Sequence, residues 1–252
     1  MASERSVGNV DKTLRELAAA QQTLSDVLEG REKRRGRRRI LPYLGLVPLQ
    51  ILVLAVLPFW LLIRGSVYAF HSHQLGTWSS LAIGALLASL VLTIYGAWIA
   101  KKLMGKARIK FIGTRVVIPV VIAFSAYSLI YLSGTNAKSE SVSQYYHSLH
   151  PILRVAVSTM ILVDREIVIT DLQRSPADYA RMGLPVRERS LHYPDAAGYV
   201  YAMDLRTTGR SERRNWLVGT YFRLMGFRTL RHVGTADHLH VSLRPTYSAS
   251  LP

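Results

Sequence analysis

Two histidines and two aspartates near the end of the chain have the residue types and the spacing of a metal centre with its own proton acceptor. They are His192, Asp204, Asp237 and His240. Imidazole nitrogens and one carboxylate, with a coordination position left open, are typical ligands of catalytic Zn²⁺. We therefore predict a zinc site in this part of the chain. A carboxylate outside the ligand set must accept the proton of the attacking water, and Asp237, three residues before His240, is predicted to be this general base.

The strands predicted around these residues would bring them together. Alternate residues of a strand face the same way, so in 238–244 His238 and His240 share one face while the other face is apolar. In 199–205, Asp204 projects from the face opposite to Leu205. His192 comes from the loop before this strand. The remaining histidines are predicted to be ordinary surface or core groups: His71, His73, His147, His150 and His232.

The region that carries these residues, 141–252, mixes helices and short strands without a regular βαβ alternation. This order favours a small α+β domain with a short antiparallel sheet. Helices are predicted at 150–163, 175–183 and 215–225, and strands at 166–170, 199–205 and 238–244.

Three apolar runs precede this domain, at about 41–63, 77–100 and 111–133. Each exceeds the ~20 residues that a helix needs to cross a bilayer, and each is nearly free of charge. The sequence therefore predicts a membrane protein with a three-helix transmembrane anchor over 41–134, followed by a linker at 135–140.

Basic residues orient the predicted spans. A cluster at 31–39 precedes the first span and another at 101–110 lies between the second and third, whereas the loop 66–76 has no Lys or Arg. By the positive-inside rule the N-terminus is cytoplasmic, and an odd number of spans places the C-terminal domain outside. The expected location is a bacterial cytoplasmic (inner) membrane, with the domain periplasmic or otherwise extracytoplasmic.

The net charge of +16 lies mostly in the first 134 residues. This distribution indicates anionic membrane lipids at the basic flanks as partners rather than nucleic acid. Residues 1–40 form a cytoplasmic tail with one amphipathic, basic helix predicted to end at Gly30. A homo-oligomer through this helix and the spans is one interpretation, and a helix lying on the membrane is the other.

The metal-site residues resemble a known family. The resemblance rests on three motifs: Ser190-Leu191-His192, Gly198-x-x-x-Ala202-x-Asp204 and Asp237-His238-x-His240. They are similar to motifs of the zinc D-alanyl-D-alanine carboxypeptidase and dipeptidase family, which shares its fold with lysostaphin-type and hedgehog-type domains. The resemblance covers about 145–244. The family usually has six residues between the first histidine and the aspartate, whereas eleven separate His192 from Asp204 here.

The resemblance implies roles for the site residues. It implies that His192, Asp204 and His240 bind Zn²⁺, that Asp237 is the general base and that His238 helps to stabilise the oxyanion. It also implies an arginine that contacts the developing charge or the substrate, for which Arg174 is the candidate.

The function expected from these features is a membrane-anchored zinc peptidase that hydrolyses peptidoglycan stem peptides, as a carboxypeptidase or an endopeptidase. One alternative is a non-catalytic module that keeps the metal and binds cell-wall peptide or a partner protein. A second alternative assigns the function to the spans, as a small channel or lysis factor.

Overall fold

The computed structural model of the chain describes the backbone of residues 3–181, 183, 185, 190–234 and 237–246, and nearly all of its described side chains lie from Leu49 onward. The chain divides into two compact units, Met1–Leu54 and Ala55–Pro252. The predicted spans lie across both units, and the predicted domain lies within the second.

A single helix, α1 (Ser3–Ser72), occupies the first part of the chain. The predicted end at Gly30 is wrong, because a glycine inside a helix costs only about 1 kcal/mol and good helix formers stand on both sides of it. The helix also continues past the predicted end of the first span at Ile63.

Three helical segments are long and apolar enough to cross a membrane: Leu49–Ser72 within α1, α2 (Thr77–Met104) and Ile109–Ile130. The last consists of α3 (Ile109–Ile112), a π-helical turn (Gly113–Val117) and α4 (Ile118–Ile130). The sequence predicted three such helices, and their observed ends differ from the predicted ends by up to nine residues.

Glycines allow these helices to approach one another closely. A Cβ atom on Gly84 of α2 would collide with the carbonyl oxygen of Leu62 and the Oγ of Ser66. A Cβ atom on Gly96 would lie 2.7 Å from the side chain of Ile112. Small residues in the second span therefore form its contacts with the first and third.

The C-terminal part begins with short helical turns and α5 (Glu140–Gln144), followed by α6 (Pro151–Val163). Its four-stranded sheet is antiparallel in the order β1-β2-β4-β3, as the predicted short antiparallel sheet requires. The strands are β1 (Ile169–Asp171), β2 (Ala202–Arg206), β3 (Arg228–His232) and β4 (His238–Ser242), and the other helices are α7 (Pro176–Arg181) and α8 (Glu212–Met225).

One face of the sheet forms the core. Leu205 of β2 and the alternate residues Leu239 and Val241 of β4 are buried in a hydrophobic cluster that also contains α6 and α8. The opposite face carries Asp204 and His240. The sheet thus separates an apolar core from a polar face, which is the arrangement that a site at its surface needs.

Candidate metal centre

The predicted ligands meet on the polar face of the sheet. In the β2–β4 pair, Asp204 stands directly opposite His240, so their side chains project side by side. His192 reaches the same place from the loop before β2, which is held by a hydrogen bond from the Tyr201 N–H to the Leu191 carbonyl. The sequence predicted this convergence from strand alternation.

Ligand atoms of His192, Asp204 and His240 all lie within 4.8 Å of one another, a grouping that could hold a metal ion. His192 Nε2 is 3.4 Å from His240 Nδ1 and 3.6 Å from Asp204 Oδ1, and His240 Nδ1 is 2.8 Å from Asp204 Oδ1. The circle through these atoms has a radius of about 1.9 Å, so an ion at bond lengths of ~2.0–2.2 Å reaches all three from just above their plane. These residues fit a zinc-like ion.

The ring of His192 is held in the tautomer that metal binding needs. Its Nδ1 lies 2.6 Å from the carbonyl oxygen of Leu172, which can only accept a hydrogen bond. Nδ1 therefore carries the proton, and Nε2 presents its lone pair to His240 and Asp204. Orientation of a ligand histidine by a backbone carbonyl is a common feature of metal sites.

Asp204 is a buried carboxylate, with only 2 % of its surface exposed. Burial by itself would raise its pKa, but the imidazoles of His192 and His240 beside it outweigh this effect and hold the pKa of Asp204 well below its usual range. The carboxylate is therefore ionised, which is the form that binds cations.

Arg174 completes the partners of Asp204. Its Nη2 is 2.6 Å from Asp204 Oδ2, and its Nε donates to Asp171 Oδ2 at 2.6 Å. The guanidinium also lies over the ring of Tyr179, 5.6 Å from its centroid. Burial alone would lower the pKa of Arg174. The hydrogen bond to Asp171 and the charges of Asp171 and Asp204 outweigh burial and raise the pKa above its usual value, so the guanidinium is a permanent cation. The structure thus brings Arg174 to the site that the family resemblance implied.

His238 lies at the edge of the group. Its Nε2 is 3.8 Å from Asp204 Oδ2, and its ring stacks on that of His232 with centroids 4.6 Å apart. The two histidines stand opposite each other in the β3–β4 pair. Sequence reasoning assigned His232 no role at the site, since it did not predict β3 or the position of this strand beside β4.

Asp237 occupies a different environment. The two guanidinium nitrogens of Arg231 bond to its two oxygens, Nη2 to Oδ2 at 2.9 Å, and Thr207 Oγ1 donates to Oδ1 at 2.9 Å. Arg231 also reaches Glu212 at 3.2 Å. Among the described residues, Asp237 lies outside the cluster of three ligands. Its role as general base stays a prediction.

The segment between His192 and Asp204 is held together by hydrogen bonds to one of its own residues, Asp195. Asp195 accepts hydrogen bonds from the N–H groups of Ala197 and Tyr199 at 2.9 and 2.8 Å and from the Tyr201 hydroxyl at 2.8 Å. Gly198, with a φ of +80°, makes the turn. Sequence reasoning identified the extra length of this segment but not Asp195, although the pattern Asp-x-x-Gly was a turn signal.

A cavity of about 490 Å³ lies beside Arg174. Its lining includes Asp171, Leu172, Gln173 and Arg174, together with Ser141, Val142 and Tyr145. Arg174, which lines the cavity, also bonds to Asp204 and so connects the cavity to one of the candidate ligands.

No protein-family model matches this chain, and no curated protein and no solved structure shows significant similarity to it. The geometry of the site therefore carries the functional argument.

Proposed function

We propose that this chain is a membrane-anchored zinc peptidase whose C-terminal domain acts outside the cytoplasmic membrane on peptidoglycan stem peptides. The single observation that carries the proposal is the triangle of His192, Asp204 and His240, with the tautomer of His192 fixed. The resemblance of the surrounding motifs to the D-alanyl-D-alanine carboxypeptidase and dipeptidase family supports the substrate class. The basic clusters at 31–39 and 101–110 support the orientation.

A divalent ion held by these ligands would supply a water that loses its proton near neutral pH and would polarise an amide carbonyl. Leu172 keeps the His192 ring in its ligand tautomer. Arg174 keeps Asp204 in place and offers its remaining N–H groups, with His238, to negative charge that develops on the carbonyl oxygen. Asp237 would take the proton of the attacking water and pass it to the leaving amine. For this step, Asp237 must exchange its contact with Arg231 for one with the water.

The engagement of Asp237 by Arg231 favours a second candidate, a metal-containing module that binds cell-wall peptide or a partner without cleaving it. A carboxylate held at both oxygens by a guanidinium is poorly placed to accept a proton. The two candidates share the metal and differ in turnover.

The test is metal analysis of the purified full chain, combined with digestion of isolated stem peptides followed by mass spectrometry. We expect about one zinc per chain and release of a terminal amino acid or a cleaved peptide. His240→Ala should lose both metal and turnover, whereas His147→Ala, a histidine outside the site, should keep both. Zinc without turnover would favour the binding module, and a chain that binds no metal would overturn both candidates.

A further inference from the structure

The C-terminal domain packs directly against the outer ends of the predicted spans. The imidazole of His150, which is fully buried, lies with its Nε2 3.0 Å from Thr77 Oγ1 at the start of α2. Burial and then the charge of Arg154 lower the pKa of His150 to about 3, so the ring is neutral at this contact. On the third span, Arg154 donates to the carbonyl oxygen of Leu129 at 2.5 Å, in the last turn of α4.

A second contact joins the domain to α4. The hydroxyl of Tyr146 donates to the carbonyl oxygen of Ser128 at 2.8 Å. Tyr146 has only 1 % of its surface exposed, and burial raises its pKa to about 12, so the hydroxyl keeps its proton.

The first span contributes its last turns. In the structure, the apolar segment of this span continues to Ser72. Within these turns Val67 and Phe70 are buried in the domain core. Gly226, which ends α8, has no room for a side chain, because a Cβ atom there would lie 2.5 Å from Arg64 Nη1 and 2.9 Å from Val67 Cγ1. The domain therefore packs directly against the last turns of this apolar segment.

The predicted linker, 135–140, is bound to the domain itself. Asn136 is buried and donates hydrogen bonds to the carbonyl oxygens of Arg165 and Ile167 at 3.0 and 2.7 Å. Ala137 pairs with Ile169 of β1. The polar composition that predicted a linker satisfies backbone groups of the domain instead.

The cavity beside the site is close to these contacts with the predicted spans. One of its walls contains Tyr145, which adjoins Tyr146 in the chain, and the Tyr146 hydroxyl bonds to Ser128 in α4. One tyrosine side chain and one hydrogen bond together span about 10 Å, so this wall lies about 10 Å from the outer end of the third span. A domain on a flexible linker would instead sample heights of tens of ångströms.

We infer that the site takes peptides attached to a membrane lipid, rather than peptides of a polymer held away from the bilayer. The inference rests on the proposed function, and it specifies the substrate class of the same site. Because the domain packs directly on the predicted spans and 135–140 is bound to it, the site is held at the membrane surface. The end of a lipid-attached peptide is found at the same height.

The full chain in vesicles of phosphatidylethanolamine and phosphatidylglycerol tests the inference. The probe is one stem peptide with a free carboxyl end, joined to a lipid through rigid oligoproline spacers of three or eighteen residues, about 9 or 56 Å long at ~3.1 Å per residue. We expect at least tenfold faster cleavage with the short spacer. Cleavage of the soluble peptide reports the proposed function independently of height.

Equal rates with both spacers would overturn this inference and leave the proposed function standing, and failure to cleave any peptide would overturn both. A second measurement does not depend on turnover. Because the chain has no cysteine, a fluorophore can be placed at Arg181→Cys on the cavity rim and at Ser72→Cys at the end of α1. Energy transfer to labelled headgroups should be strong, with one narrow lifetime component, at both positions. A weak or broad signal at the rim alone would overturn the fixed height.

Discussion

Asp204 lies in β2 and Asp237 directly precedes the neighbouring strand β4, yet their environments differ. Asp204 is buried opposite His240, with one oxygen toward two imidazoles and the other on Arg174. Asp237, just before β4, is half-buried and has Arg231 on both oxygens. Asp204 keeps one oxygen for the histidines, whereas both oxygens of Asp237 are taken by Arg231. Under the proposed mechanism, the candidate ligands are therefore already assembled, and proton transfer by Asp237 would require a rearrangement.

Replacing the two carboxylates separately gives the largest expected contrast. Asp237→Asn keeps the shape and should keep the metal, but it removes the proton acceptor, so turnover on stem peptides should fall about 10²- to 10⁴-fold. Asp204→Asn should lose metal and turnover together. Metal content and initial rates on the same preparations measure both effects. Unchanged turnover in Asp237→Asn would remove Asp237 from the mechanism.

Arg174 connects the metal triangle to the cavity, and its replacement should have an intermediate effect. Arg174→Ala leaves Asp204 free to rotate, so zinc affinity should fall about 10- to 100-fold, as is typical when a partner of a metal ligand is lost. Arg174→Lys restores a charge but not the two-sided hydrogen bonding to Asp171 and Asp204, and it should recover only part of the affinity. Competition with a chelator measures this. Wild-type affinity in Arg174→Ala would show that the guanidinium has no part in holding Asp204.

The lowered pKa of Asp204 gives a pH dependence of the metal-free protein. Because its pKa is lower in the folded than in the unfolded state, Asp204 contributes stability above the unfolded pKa of about 3.9 and loses it as the pH falls. Asp204→Asn should therefore unfold with a weaker dependence on pH in the acid range than the wild type. Denaturant unfolding in detergent with a chelator present measures the slopes. Parallel slopes would contradict the ionised state of Asp204.

The smallest expected effect is the coupling between Arg231 and Asp237. Both side chains are 24 % exposed, so a double-mutant cycle of Arg231→Ala and Asp237→Ala should give a coupling of about 0.5–1 kcal/mol in the free energy of unfolding. The pair Arg231 and Glu212, whose acid is 81 % exposed, is the matched control and should give less. A coupling near zero for Asp237 would mean that its exchange from Arg231 to a substrate water costs little.

The placement of Asp204 and His240 on the polar face of the sheet could be predicted, because strand alternation needs no tertiary information once the strand is recognised. Helix α6 was also predicted, since Pro151 follows His150 and opens an apolar run. Strand β3 was missed because Arg228, Arg231 and His232 give it a polar composition, and only its pairing with β4 makes it a strand.

Long-range partners could not be predicted. The bond between Arg174 and Asp204 joins residues thirty positions apart, and the contact between His150 and Thr77 joins residues seventy-three positions apart. Neither pair has a spacing signal in the chain. His150 was predicted to be an ordinary core or surface group, and the structure places it in the core.

The turn built around Asp195 has a consequence for how this protein changes over evolutionary time. Its hydrogen bonds close on Ala197, Tyr199 and Tyr201, within the segment itself. A self-contained turn of this kind can lengthen, shorten or be exchanged while His192 and Asp204 stay in register. Recognition and chemistry can then diversify separately, and a designer could graft new turns here without rebuilding the scaffold.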